Sequence, residues 1–177
     1  MNAAPTPPTA GMDADGPLPA PPAEADLSEQ DMLNLNQARG GSVLLFDGEC
    51  GMCNGFVQRF IKADPTQVMR YAPLQGFTAA EVFERHHIPR EQLLGGGLRL
   101  VQHFREPGER VLSATDAALT ALGETQSAAR HLAAFRFVPK GIREWVYANI
   151  AANRYRIAGK VEQCAMMRPD QIHLFLP

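Results

Sequence analysis

The sequence has few of the features on which secreted or membrane-spanning proteins depend. Only three of its 177 residues are cysteines, too few for a scaffold held together by disulfides. No apolar run approaches the ~20 residues that cross a bilayer, and the N-terminus lacks the basic start and apolar core of a signal peptide. We therefore expect a soluble cytoplasmic protein without a membrane span, in which paired cysteines are more typical of catalysis or metal binding than of structure.

Basic residues are absent from the start of the chain and are in only mild excess afterwards. Residues 1–38 contain six acids and no Lys or Arg, so the remainder holds all 17 bases and the other 13 of the 19 acids. This small excess of positive charge is much less than the dense basic surface of a nucleic-acid-binding protein requires. No nucleic-acid partner is therefore expected.

Proline and alanine dominate residues 1–26. A segment of this composition is predicted to be disordered, because it cannot bury enough apolar surface to offset the entropy of ordering. Leu27–Arg39 favours a short, weakly docked helix, and two glycines separate it from the first strand. The sequence thus predicts an acidic disordered tail over residues 1–40 and one domain over residues 41–177.

A Cys-x-x-Cys pair lies at the predicted junction of a strand and a helix. The apolar strand Val43–Phe46 leads through a tight turn into a helix that opens with Cys50 and Cys53. Cysteines at this spacing share one face of the first helical turn, and the positive end of the helix dipole favours a thiolate there. The pattern predicts a dithiol/disulfide site in which Cys50, nearer the surface, attacks and the more deeply buried Cys53 resolves the mixed disulfide.

Other interpretations of this region stay open. The two cysteines can be inert buried thiols or metal ligands, although zinc usually takes four ligands, and Cys164 and His173 would then have to come from far along the chain. Asp47, at the end of the first strand, is either a carboxylate that accepts the proton of Cys53 or a turn residue that satisfies backbone N–H groups. Neither a metal nor an organic cofactor is predicted.

The predicted element order, βαβ followed by ββα, is that of a thioredoxin-like α/β domain with additional C-terminal helices. Hydrophobic periodicity, turn residues and capping-box spacings at Thr78 and Ser113 set the boundaries. The predicted strands are Val43–Phe46, Val68–Ala72, Leu98–Phe104 and Arg110–Ser113. The predicted helices are the one that opens at Cys50 and ends before Pro65, Ala79–His87, Ser113–Leu122, Thr125–Phe137 and Pro139–Asn153, and the segment from Cys164 to Pro177 is predicted to be irregular.

Two groups of side chains near the last predicted helix have more than one interpretation. Arg154, Tyr155 and Arg156 either contact an anionic substrate or the thiolate, or form a solvated helix end, where the dipole favours cations. Trp145 and Tyr147 are expected in the core or at an interface rather than as a platform for substrate.

The string DGECGMCN at residues 47–54 resembles the signature of the DCC family of thiol-disulfide oxidoreductases. The likeness continues at Tyr71–Gln75, Ser113–Ala117 and Asn153–Tyr155 and extends from about residue 43 to residue 164. It implies a thioredoxin-like fold and a protein-disulfide (thiol-disulfide) oxidoreductase that acts on protein or small-molecule thiols and disulfides, with a reductant that the sequence does not identify. A non-catalytic binding module of the same fold is the alternative.

The chain departs from ordinary thioredoxins in the loop before the third strand. Thioredoxins carry there a cis-proline that faces the disulfide and contacts the substrate backbone, whereas this chain has a run of glycines that includes Gly96 and Gly97. Either the glycine backbone takes that role or substrate docks differently. Gly96, Gly97, Arg154 and Tyr155 are therefore the candidate substrate-binding residues.

Overall fold

The computed structural model describes residues 23–89, 97–125, 128–159 and 168–177. Its strands are β1 (Ser42–Phe46), β2 (Met69–Pro73), β3 (Arg99–Gln102) and β4 (Arg110–Ser113). Its α-helices are α1 (Glu29–Gln37), α2 (Gly51–Ala63), α3 (Phe77–Arg85), α4 (Ala114–Glu124) and α5 (Lys140–Ala158). Three 3-10 segments, Glu24–Asp26, Ala128–Phe137 and Pro169–Leu174, complete the regular structure of these residues.

The four strands form one mixed sheet in the order β2-β1-β3-β4. Strand β1 pairs in parallel with β2 and antiparallel with β3, and β3 pairs antiparallel with β4. The central strand β1 has an unbroken apolar sequence because helices cover both faces of the sheet. This arrangement confirms the thioredoxin-like α/β fold predicted from the element order.

Alternate residues of β1 contribute to two separate cores. Leu44 and Phe46 face the layer that holds α2 and α4, whereas Val43 and Leu45 face the layer that holds α1 and α3. The alternation follows from the two-residue repeat of an extended strand. The first core contains the Cys-x-x-Cys pair, so the site is built on one face of the sheet.

The N-terminal helix α1 begins with a reciprocal capping box. The Ser28 hydroxyl accepts the Asp31 N–H, and the Asp31 carboxylate accepts the Ser28 N–H. Leu35 of this helix is fully buried in the second core, which confirms the short helix predicted over Leu27–Arg39. The predicted division of the chain at residue 41 stays a prediction, and residues 1–22 of the predicted tail lie outside the described residues.

The capping box predicted at Thr78 is wrong. Helix α3 begins earlier, with Gly76 as its N-cap residue and no side-chain cap. The Thr78 N–H donates instead to the carbonyl of Pro177 at 2.8 Å, and Phe175 pairs in parallel with Tyr71 of β2. The C-terminal segment, predicted to be irregular, therefore extends the sheet edge, and its last carbonyl accepts an N–H of the first turn of α3 that no side chain caps.

The C-terminal helices also differ from the prediction. Residues 128–137 form a 3-10 helix where an α-helix was predicted, and α5 continues to Ala158. Trp145, predicted to be in the core or at an interface, is 69% exposed, because α5 contacts the domain through its opposite face, which carries Arg143 and Arg154. No helix in the described part of the chain combines the length and apolarity needed to span a bilayer.

Candidate active site

The Cys-x-x-Cys pair lies at the N-terminus of α2, directly after β1. Cys50 is the N-cap residue, and Cys53 lies one turn into the helix. The backbone N–H of Cys53 donates to the Cys50 Sγ at 3.4 Å, and both residues are free thiols. The two sulfurs therefore share the opening turn of the helix, where the sequence predicts them.

Both cysteines are buried, and the order of their residue exposures is the reverse of the prediction. Cys50 is 0% exposed, whereas Cys53 is 8% exposed. Just after the end of α5, the carbonyl of Gly159 accepts the N–H of Gly51, the neighbour of Cys50, at 3.3 Å. A distant segment thus covers the start of α2, which local sequence patterns cannot indicate.

The environment of Cys53 favours its protonated form. Burial is the main factor that raises the pKa of the Cys53 thiol, and the hydrogen bond and charge of Cys50 and the charge of Asp47 raise it further. The guanidinium of Arg154 lowers this pKa but does not outweigh the other contributions. Cys53 is therefore a thiol rather than a thiolate in the neutral pH range.

A buried ion pair adjoins the two cysteines. Asp47 is 1% exposed, and its Oδ2 accepts hydrogen bonds from Nε and Nη2 of Arg154, each at 3.3 Å. Its Oδ1 accepts from the Glu49 N–H at 3.1 Å and from Gln75 Nε2 at 3.0 Å. Asp47 thus makes the turn contact expected of it, and it also binds a cation 107 residues away in the sequence.

The predicted basic cluster separates into residues with different environments. Arg154 is only 7% exposed, so the solvated helix end is wrong for this residue, whereas Arg156 is exposed. The Tyr155 side chain, Gly96 and Cys164 lie outside the described residues. Sequence reasoning therefore identified both Arg154 and Asp47 as candidate site residues but not their pairing.

Two amide side chains fix the turn between β1 and α2. Asn54 Nδ2 donates to the carbonyls of Gly48 and Cys50 at 2.8 and 3.1 Å. Gln75 Oε1 accepts the Gly48 N–H at 3.2 Å while the same side chain donates to Asp47. Sequence reasoning missed Gln75, although its place at the end of the Tyr71–Gln75 segment was a usable signal.

Helix α5 also contacts the glycine loop before β3. The Tyr147 hydroxyl accepts the N–H of Leu98 at 2.8 Å, and burial raises the pKa of this tyrosine. Gly97 has φ +63°, and a Cβ at this position would overlap the Tyr147 hydroxyl oxygen. The backbone at Gly97 and Leu98, which lies beside Cys53, is therefore in contact with a side chain of the protein itself.

Replacing Gly97 with alanine is expected to destabilise the protein through both effects. A left-handed backbone costs a residue with a Cβ about 1–2 kcal/mol, and displacement of Tyr147 adds to this loss. Urea denaturation of Gly97→Ala and of a matched control, Gly108→Ala, measures the difference. Gly108 also has a positive φ but has no neighbouring atom where its Cβ would stand, so equal losses would contradict the contact with Tyr147.

The raised pKa of Cys53 predicts slow alkylation in the folded protein. In the Cys50→Ser variant burial remains, so the Cys53 thiolate is expected to form only above the ordinary thiol value of 9.0. The rate of iodoacetamide labelling at Cys53, followed by mass spectrometry across a pH series, measures this. The same variant in urea serves as the control, and matching pH profiles for the folded and unfolded chains would refute the prediction.

The residues proposed as metal ligands do not converge in the described part of the chain. None of its clusters of His, Cys, Asp and Glu contains the three or more side chains that could hold a metal ion. His173, one of the two distant candidate ligands, instead lies with Nε2 3.0 Å from Gln67 Oε1.

Comparison with known proteins finds one matching family model and two relatives. The family model for DCC1-like thiol-disulfide oxidoreductases matches residues 44–160. The uncharacterized protein YuxK of Bacillus subtilis is 34% identical over 135 residues, which cover 76% of this chain and 93% of YuxK. A chloroplastic DCC family protein of Arabidopsis thaliana is 26% identical over 125 residues, which cover 70% of this chain and 69% of that protein. No solved structure matches significantly. The family resemblance inferred from the residues is thus confirmed.

Proposed function

Because the chain belongs to the DCC1-like thiol-disulfide oxidoreductase family, we propose that it catalyses thiol-disulfide exchange through Cys50 and Cys53. The observation that supports this most directly is the placement of the Cys50 sulfur at the helix N-cap, where it accepts the Cys53 N–H. Partial positive charge at that position stabilises a thiolate. The substrate is a thiol or disulfide, and electrons are exchanged with a partner thiol without an organic cofactor.

The two cysteines are proposed to have unequal roles. Cys53 retains its proton in the reduced pair because burial raises its pKa, whereas the Cys50 sulfur lies at the helix N-cap and accepts the Cys53 N–H. In the oxidised pair, attack of a thiolate on one sulfur transfers the electron pair of the disulfide bond to the other sulfur. The sulfur that is better stabilised as an anion is the better leaving group, which assigns that role to Cys50.

Asp47 is proposed to position the pair rather than to take a proton directly. Its carboxylate is engaged by Arg154, Gln75 and the Glu49 N–H, so that it anchors the end of α5 to the turn before Cys50. Its negative charge also contributes to the raised pKa of Cys53. Arg154 has the matching role, since it neutralises Asp47 beside the sulfurs.

Mild oxidation tests the proposed function. With oxidised glutathione the protein is expected to lose two hydrogen atoms and to yield a single linked peptide that contains Cys50 and Cys53. Intact mass and a non-reduced digest measure this, and dithiothreitol is expected to reverse it. If the folded protein keeps both thiols while the unfolded chain oxidises under the same conditions, exchange through this pair is refuted.

A non-catalytic binding module is the second candidate, and the full burial of Cys50 is the observation that favours it. The reduction potential of the pair distinguishes the two. A potential below about −300 mV is typical of structural disulfides, whereas exchange proteins lie above that value. Equilibration with glutathione or dithiothreitol buffers provides the measurement.

A further inference from the structure

An apolar cavity of about 140 Å³ lies against Cys53, between α2, α4 and α5. Met52, Phe56, Leu98 and Ile150 supply apolar walls. Among the described cysteines, Cys53 lines this cavity and Cys50 does not, and Cys53 is also the more exposed residue of the pair. The cavity therefore gives a reagent from outside a route to the Cys53 sulfur.

The size and lining of the cavity restrict what it can hold. An apolar cavity of about 150 Å³ accommodates benzene, so a group of ring size fits here. The Tyr147 hydroxyl oxygen at the wall accepts the Leu98 N–H, and the Arg154 guanidinium binds Asp47. A charged or strongly polar group would lose its hydration against a lining that is mostly apolar.

We infer that this cavity is the substrate subsite, and that the exchange partner carries an apolar group of about ring size beside its sulfur and reacts at Cys53. The inference rests on the proposed exchange reaction and specifies its substrate class. The shared chemistry has two sources, namely a small apolar thiol, or a cysteine next to a large apolar side chain in a peptide.

The covalent step follows from the position of the two sulfurs. In the oxidised protein, the thiolate of the partner attacks Cys53 Sγ, a new S–S bond forms, and the electron pair of the Cys50–Cys53 bond departs on the Cys50 sulfur. The Cys53 N–H and the helix N-terminus stabilise that anion. A second partner thiolate then attacks the partner's sulfur in the mixed disulfide, and Cys53 leaves and takes up a proton. Two thiols become one disulfide, and the protein disulfide becomes two thiols.

Reduction of the oxidised protein by matched thiols provides the first test. Benzyl mercaptan and mercaptoethanol are alkyl thiols of similar acidity. The rate at which each thiol reduces the protein is divided by the rate at which the same thiol reduces hydroxyethyl disulfide, so that differences in the intrinsic reactivity of the two thiols cancel. Burial of the ring is expected to make the normalised rate at least about tenfold higher for benzyl mercaptan. Equal normalised rates would overturn the inference, whereas a protein that forms no Cys50–Cys53 disulfide would overturn the proposed function as well.

The site of attachment is tested by quenching the same reaction with N-ethylmaleimide. Peptide mapping is expected to find the benzyl group disulfide-linked to Cys53 and the maleimide on Cys50. The opposite distribution, with benzyl on Cys50, would show that exchange occurs but by a route other than this cavity.

Two neighbouring alanines of α5 supply a matched pair of variants. Ala151 lines the cavity, whereas Ala152 is exposed. Ala151→Leu is expected to reduce the preference for benzyl mercaptan to about one, and Ala152→Leu to retain it. Ala118→Leu, from α4, fills the same cavity and replaces Ala151→Leu if that variant does not fold. An unchanged preference in a folded cavity-filling variant would overturn the inference.

Peptides distinguish the two sources of the apolar group. A Phe-Cys peptide that shows the same advantage over a Ser-Cys peptide as benzyl mercaptan shows over mercaptoethanol identifies a protein substrate. An advantage confined to the small thiol identifies a small-molecule substrate. The absence of an advantage in both series would overturn the inference.

Discussion

Cys50→Ser and Cys53→Ser will each reduce exchange to the background rate of the solution reaction. Each substitution removes one of the two sulfurs between which the electron pair of the disulfide bond moves, so no cycle can be completed. Turnover of a disulfide reporter, with intact mass to detect trapped mixed disulfides, measures the effect. The double variant is expected to have the same residual exchange activity as either single variant, because the effects of substituting residues that act as a unit do not add.

Cys164→Ser is the matched control for these two substitutions. It removes the remaining cysteine of the chain by the same chemical change and is expected to retain exchange. Full activity of Cys50→Ser would refute the proposed function. Loss of activity in Cys164→Ser would instead show that Cys164 takes part in exchange, which contradicts the assignment of both roles to Cys50 and Cys53.

Arg154→Leu will destabilise the folded protein by about 3–5 kcal/mol, the usual cost of removing one partner from a buried ion pair. Asp47 is 1% exposed, and its remaining hydrogen bonds from Gln75 and the Glu49 N–H do not neutralise its charge. Because Arg154 lowers the pKa of Cys53, the substitution will also raise that pKa further. Urea denaturation measures the first effect, and the pH dependence of Cys53 alkylation measures the second.

Arg156→Leu makes the same chemical change two residues further along α5, at an exposed position. Its effect on stability is expected to stay within about 0.5 kcal/mol. Adding Asp47→Asn to Arg154→Leu removes the uncompensated charge and is expected to recover part of the loss. Equal stabilities of Arg154→Leu and Arg156→Leu would show that the Asp47–Arg154 pair contributes nothing.

Local sequence patterns were sufficient for the elements that hold the cysteines. The strand β1 has an unbroken apolar run, and α2 combines an apolar stripe with a proline that follows its end, so a few neighbouring residues specify each. The same holds for β4, found at Arg110–Ser113 as predicted. The capping box predicted at Thr78 is absent because α3 begins earlier, and a distant residue, Pro177, accepts the N–H of Thr78 in its first turn.

The sequence by itself determined the order of elements along the chain, the α/β class and the placement of Cys50 and Cys53 in one helical turn, since these depend on periodicity and short spacings. Only the tertiary structure decided that the carbonyl of Gly159 meets the N–H of Gly51, that Arg154 meets Asp47 and that an apolar cavity reaches Cys53. These features join residues about a hundred positions apart. Their formation depends on how completed elements pack together, which no local pattern encodes.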